Sequence, residues 1–135
     1  MKKKAIEISS SRSEIKKVEE LFLDVNEEFK LPDEDYRRLM IAVTEILMNA
    51  IVHGNKENYT KKVLISVEYN NEKMKVVIND EGKGFEIESL PDPTLKENLM
   101  EVHGRGIFIA KSMVDEFEYR LSDNGSEFIL VVKKK

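Results

Sequence analysis

Lys62-Val-Leu-Ile-Ser-Val-Glu-Tyr-Asn-Asn-Glu-Lys-Met-Lys-Val-Val-Ile-Asn-Asp80 is the stretch on which the fold turns. Val63, Ile65 and Val67 recur every second residue, Asn70-Asn71 offers a turn, and Met74, Val76 and Ile78 resume the same period, which reads as a β-hairpin. Upstream the period is helical. Ile15, Val18, Leu21, Phe22 and Val25 mark an amphipathic helix to about Phe29, after a short strand at Lys4–Ser9 and a serine cluster, Ser9 to Ser13, that supplies N-cap candidates. Leu31-Pro32-Asp33 breaks that helix, and Asp33 is expected to cap a second one. Its apolar positions are Leu39, Val43, Ile46 and Ala50, and it ends near His53-Gly54.

Downstream, residues Glu81 to His103 contain Pro91, Pro93 and two glycines, too long for an ordinary connection and therefore either disordered or a functional loop of the lid kind. Ile107 to Val114 returns to helical spacing. Two last strands, about Glu116 to Ser122 and Glu127 to Lys133, flank an Asp-Asn-Gly turn. Hairpins outnumber parallel crossover units in this order. The expected architecture is α+β, a two-layer sandwich with helices on one face of a mixed, mainly antiparallel sheet, in one domain over residues 1–135.

With 135 residues and 41% hydrophobic content the chain can bury one core. A formal net charge of -4 gives no global positive field to draw it onto nucleic acid or an acidic membrane. Lysines at Lys2–Lys4 and Lys133–Lys135 read as solvated ends. There is no cysteine, which removes disulfides and sulfur-ligated zinc and agrees with a reducing compartment. No stretch approaches the roughly 20 apolar residues of a membrane span, so a cytoplasmic protein is expected.

Three polar constellations stand out. On the second helix Glu45, Asn49 and His53 are spaced by four and share one side. That stripe lies beside the apolar arc, at the edge of the core, where polar groups need partners and a ligand or metal ion is a candidate. Taken alone, helix-edge acids are commonplace and can simply border a groove, and His53 suits a helix end facing the last carbonyls. After the strand Met74–Ile78, Asn79-Asp80-Glu-Gly82-Lys-Gly84 joins an acid, able to accept from an exocyclic amine, to glycines that let backbone lie against a flat ligand; it also fits a plain turn. His103-Gly104-Arg105-Gly106 precedes an apolar helix, where free N–H groups and an arginine suit an anion, or form a flexible helix entry. Gly125-Ser126 reads mostly as a hairpin feature, though the Ser126 hydroxyl could reach a base directly or through water. No phosphate-binding P-loop, dinucleotide fingerprint or protein-kinase catalytic loop is present.

Glu45-x3-Asn49 on a helix, Asp80-x-Gly82-x-Gly84 after a strand and Gly104-Arg-Gly106 at a helix resemble the N, G1 and G2 boxes of the GHKL, or Bergerat-fold, ATPases. The fuller text, Glu45-Ile-Leu-Met-Asn-Ala-Ile-Val-His-Gly54 with Asp92-Pro-Thr, Glu97-Asn-Leu and His103-Gly-Arg-Gly-Ile-Phe108, is similar to the small bacterial anti-sigma factor serine kinases. The resemblance implies an ATP and Mg2+ pocket between helices and sheet. In it Asn49 would coordinate the metal, Asp80 read adenine, Gly82 and Gly84 shape the base site, Gly104, Arg105 and Gly106 hold phosphates, Ser126 replace the family's usual threonine, and Glu45 act as general base. It further implies an anti-anti-sigma protein as substrate, a sigma factor as competing partner, and compatibility with a homodimer. The alternative function is a non-catalytic module whose partner binding is gated by nucleotide.

Overall fold

The computed structural model describes residues 1–82, 102–122 and 125–135. Strand β1 (Lys2–Ser9) leads through one 3-10 turn, Arg12–Glu14, into α1 (Ile15–Phe29) and α2 (Asp33–Met48), and α2 continues as a π-helical turn, Asn49–Gly54. The hairpin β2 (Lys62–Tyr69) and β3 (Lys73–Asp80) follows, then α3 (Val102–Met113) and the hairpin β4 (Glu116–Ser122) and β5 (Gly125–Lys133). The strands form one sheet in the order β1-β2-β3-β5-β4. Every pairing is antiparallel, so the expected mixed character is absent among the described strands.

Register explains how the sheet reaches its core. Val63, Ile65, Val67 and Tyr69 of β2 are buried, as are Met74, Val76 and Ile78 of β3 and Phe128, Leu130 and Val132 of β5. Across β2, β3 and β5 these align as rows, Ile65 beside Ile78 beside Phe128 and Val67 beside Val76 beside Leu130. Val18, Phe22, Val25 and Phe29 of α1 and Leu39, Val43, Ile46 and Leu47 of α2 fill the same core. Burying one such side chain contributes about 1.5–3 kcal/mol, so this single face supplies most of the driving force. The innermost row ends in polar residues: Asp80 is the partner of Val63 on one side and Ser126 on the other.

The termini of elements depart from expectation in instructive ways. The lysines at the start are not a frayed end, because Lys2 to Lys4 pair with Val67 to Tyr69 and extend β1. The Lys2 ammonium bonds Glu28 and the Lys4 ammonium lies 2.6 Å from Asp24, so surface ion pairs join β1 to α1. Asp33 is not a side-chain cap: Pro32 occupies that position, and Asp33, Glu34 and Asp35 together meet the positive end of the helix dipole. The serine cluster supplies no side-chain cap either; Glu14 reaches back to accept from the Ser9 hydroxyl at 3.1 Å. Lys30, at φ 59°, ends α1, and the Asn26 carbonyl and side chain take the N–H groups of Lys30 and Leu31, both at 2.9 Å. Asn70 closes the first hairpin by accepting from the N–H groups of Glu72 and Lys73. No helix among the described residues is long and apolar enough to cross a membrane.

Candidate functional site

The end of α2 and the π-helical turn form one wall. Asn49 donates its amide nitrogen to the Glu45 carbonyl at 2.9 Å, and its backbone N–H is shared between the Glu45 and Ile46 carbonyls. Its other side-chain atom, Oδ1, is buried without a hydrogen-bond partner among the described residues. A buried amide oxygen left this way costs about 1–3 kcal/mol, and it is the kind of hard, neutral donor a small divalent cation or a water accepts. The widened turn that follows is closed by the Asn55 N–H donating to the Ala50 carbonyl at 2.8 Å, an i to i−5 bond of the type that collects at functional sites.

Helix α3 lies alongside. The Arg38 guanidinium donates to the Ser112 carbonyl at 3.3 Å, and at the other end Gly106 faces Glu45, which makes the two helices antiparallel. A methyl group at position 106 would stand 2.6 Å from a Glu45 carboxylate oxygen and 3.3 Å from the Asn49 amide nitrogen. The absent side chain is what admits the carboxylate. Within the described residues α3 already includes Val102, so Gly104, Arg105 and Gly106 lie inside the helix and do not precede it, a correction to the expected order. Arg105 is exposed and Gly106 buried.

The second wall is the end of the sheet. Asp80 is buried, 4% exposed, and accepts from the Ser126 hydroxyl at 2.7 Å and from the Gly82 N–H at 2.9 Å. Burial pushes its pKa above the ordinary aspartate value, and the bonds from Ser126 and Gly82 and the charge of Lys61 offset part of that rise. The Ser126 hydroxyl spends its donor on the carboxylate and keeps its acceptor lone pairs. Three backbone segments crowd around Asp80. A methyl group on Gly54 would meet its carboxylate at 2.6 Å, one on Gly82 would lie 2.1 Å from the Gly54 carbonyl oxygen, and Gly125, at φ +133°, passes against the Asp80 carbonyl.

Glu45, Asn49 and Gly106 thus form one group, and Asp80, Gly82 and Ser126 another, with the π-helical turn running from Asn49 in the first to Gly54 against the second. His53 lies exposed on that turn. Gly84, Asp92-Pro-Thr, Glu97-Asn-Leu and the Asp123-Asn124 turn lie outside the described residues. Sequence reasoning did not find Gly54, read only as a helix stop, nor Asn55 and Ser10, which are buried and bonded to each other at 2.8 Å across 45 positions. Gly54 stands directly after the polar stripe and was within reach; the Asn55–Ser10 pair has no local signature.

The sequence matches the histidine kinase-like ATPase domain family over residues 8–132. Serine-protein kinase RsbW of Staphylococcus aureus strain MSSA476 is 31% identical over 90 residues, 62% of this chain. The match takes up 57% of that relative's length. Among solved structures, the RsbU and RsbW domains of Rv1364c from Mycobacterium tuberculosis superimpose on the whole chain and 34% of their own, with a TM-score of 0.71 and 13% identity. The blue-light activated histidine kinase EL346 of Erythrobacter litoralis covers 76% of this chain and 31% of its own at a TM-score of 0.56 and 19% identity. At such identities these two likenesses concern the fold alone.

Proposed function

Because the chain belongs to the histidine kinase-like ATPase domain family, we propose that residues 1–135 act as one domain that binds ATP with Mg2+ and phosphorylates a serine of an anti-anti-sigma protein, while competing interactions with a sigma factor make it an anti-sigma factor. The observation that carries this reading is the buried, unpartnered Asn49 Oδ1 one helical turn from the Glu45 carboxylate.

The residues fit the ligands the family implies. Asn49 offers an oxygen of the type Mg2+ takes, and Mg2+ keeps several waters and substrate phosphates in its shell, so one protein donor suffices. When bound, the metal neutralises charge on the phosphates. Asp80, held by Ser126 and Gly82, presents a fixed carboxylate that accepts from the adenine amino group, with Gly82 leaving room for the ring and Gly84 assigned to the base site by the family motif alone. The glycines at 104 and 106 and the exposed Arg105 guanidinium between them suit the phosphate chain. Glu45 accepts the proton of the substrate serine as its oxygen bonds to the γ-phosphorus and the bond to the β-γ bridging oxygen breaks, releasing ADP.

The test is transfer of labelled phosphate from ATP to an anti-anti-sigma protein of the same organism, with Glu45→Ala alongside. Phosphoserine on the partner with wild type, and a loss of about 10²–10⁴-fold in the variant, is expected. Equal transfer by both removes Glu45 from the role of base. Tight partner binding with a non-hydrolysable ATP analogue and no phosphoserine at all would instead assign a nucleotide-gated binding module.

A further inference from the structure

The Gly82 N–H bond to Asp80 is local and any aspartate in a turn can make it, so it does not fix where the turn sits relative to the rest of the pocket. The Ser126 hydroxyl ties the carboxylate to β5, and the turn itself is tied to the π-helical wall by Asn55. Its Oδ1 accepts from the Glu81 N–H at 2.9 Å, and its two amide hydrogens go to the Ser10 hydroxyl at 2.8 Å and the Lys62 carbonyl at 3.0 Å. Ser10 passes its own hydrogen to the Lys61 carbonyl at 2.6 Å. Four segments meet in this way: the exit of β1, the exit of the π-helical turn, the entry of β2 and the turn after β3.

The chemistry is specific to the residue type. Asparagine alone at that size has an acceptor and two donors; aspartate loses both donors, and an apolar side chain leaves a buried N–H and a buried C=O unpaired. Asn55 is 1% exposed and Ser10 fully buried, and both Asn55 donors are already committed, so neither side chain is arranged to touch a ligand. Resting on the reading of Asp80 as the adenine acceptor, we propose that Asn55, itself held by Ser10, is a positioning residue that tunes the base preference of the site. It fixes the peptide between Asp80 and Glu81 and so acts with the Ser126 and Gly82 bonds in aiming the carboxylate.

Base discrimination separates this from a merely structural role. The Asp80 carboxylate accepts from the amino group of adenine and opposes the carbonyl oxygen that guanine presents at the equivalent position, so aim governs the preference. Calorimetric titration of the full chain with ADP and with GDP, each with magnesium, is compared for wild type, Asn55→Ala, Ser10→Ala and Val132→Ala, the last in the core at the opposite end of the sheet, with unfolding midpoints measured in parallel. The expected result is a fall in the ADP-over-GDP ratio of about tenfold for Asn55→Ala, the scale of one hydrogen bond removed from a fixed geometry. Ser10→Ala gives a smaller fall in the same direction, and Val132→Ala lowers the midpoint while keeping the ratio. Should Asn55→Ala fail to fold, Ser10→Ala decides. Folded variants at both positions with ratios within twofold of wild type overturn the positioning role and leave Asp80 as the adenine acceptor; wild type that binds neither nucleotide overturns the nucleotide reading and this inference with it.

Discussion

Gly106→Ala separates what holds the molecule together from what the site does. On backbone grounds the change favours the fold, since alanine is better than glycine inside a helix by about 0.5–1 kcal/mol. Against this stands the contact of the new methyl group with a Glu45 carboxylate oxygen at 2.6 Å, where ordinary contact begins at 3.4 Å. The obstructing atom is the far end of a flexible side chain, so it retreats by a change of rotamer at a cost of about 0.5–1.5 kcal/mol. The two terms nearly cancel. Scanning calorimetry is expected to find Tm within about 5 °C of wild type, since 1 kcal/mol shifts a domain of this size by roughly 3–5 °C. The rate is another matter, because a displacement on the order of 1 Å at a positioned catalytic group costs about 10²-fold. Single-turnover transfer from labelled ATP at saturating nucleotide reports that loss directly, and it belongs in kcat, with KM for ATP changed by no more than about threefold. A variant that transfers phosphate at the wild-type rate would refute the assignment of Glu45; one that unfolds more than about 10 °C early would refute the claim that the carboxylate is free to move.

Gly54→Ala meets a carboxylate at the same 2.6 Å but with the opposite consequence, because Asp80 is pinned by Ser126 and Gly82 and cannot swing aside. Its unfolding midpoint is expected to fall and ADP binding, followed by calorimetry, to weaken together with it. Asp80→Asn removes a group whose burial raises its pKa. A carboxyl with a folded pKa above its unfolded value binds more protons when folded, so its contribution to stability declines as pH rises from the ordinary aspartate range through the raised value, and the ionised form is a net cost at neutral pH. The apo variant should therefore melt at or above wild type at pH 7, with the difference shrinking on acidification, while its ADP affinity drops; a lower apo midpoint at pH 7 contradicts this. Asn49→Ala deletes the unpartnered oxygen, so titrations without magnesium should resemble wild type and the gain in affinity that magnesium confers should vanish.

Periodicity made the sheet and helices legible wherever one face is buried. The alternation in Val63–Val67 and Met74–Ile78 and the helical spacing of Leu39, Val43, Ile46 and Ala50 all correspond to buried positions. It could not report hydrogen-bond offsets. Ala50 and Ile51 are both buried, so the apolar record runs smoothly through Asn49–Gly54 although the backbone there is π-helical. The opening of α3 was misread because glycine is a poor helix former; Gly106 is retained inside the helix by the close approach of Glu45, a tertiary cause. In the same way Lys2–Lys4 carry the composition of a solvated tail, yet their backbone completes the sheet. Side chains whose partners lie far away in the chain, Asn55 with Ser10 and Ser126 with Asp80, were found only in space. The stripe of Glu45 and Asn49 was visible because both residues sit on one element.

The bond from Ser126 to Asp80 joins residues 46 positions apart, and the pairing of β3 with β5 spans a similar distance. During translation at about 5–20 residues per second, the first hairpin waits on the order of 2–10 s after Asp80 is made before its partner strand exists. Through that interval β3 offers one bare edge, of the kind that neighbouring nascent chains on a polysome can capture. On the proposed reading, nucleotide would stabilise the chain only once the domain is complete, by mass action on the folded state.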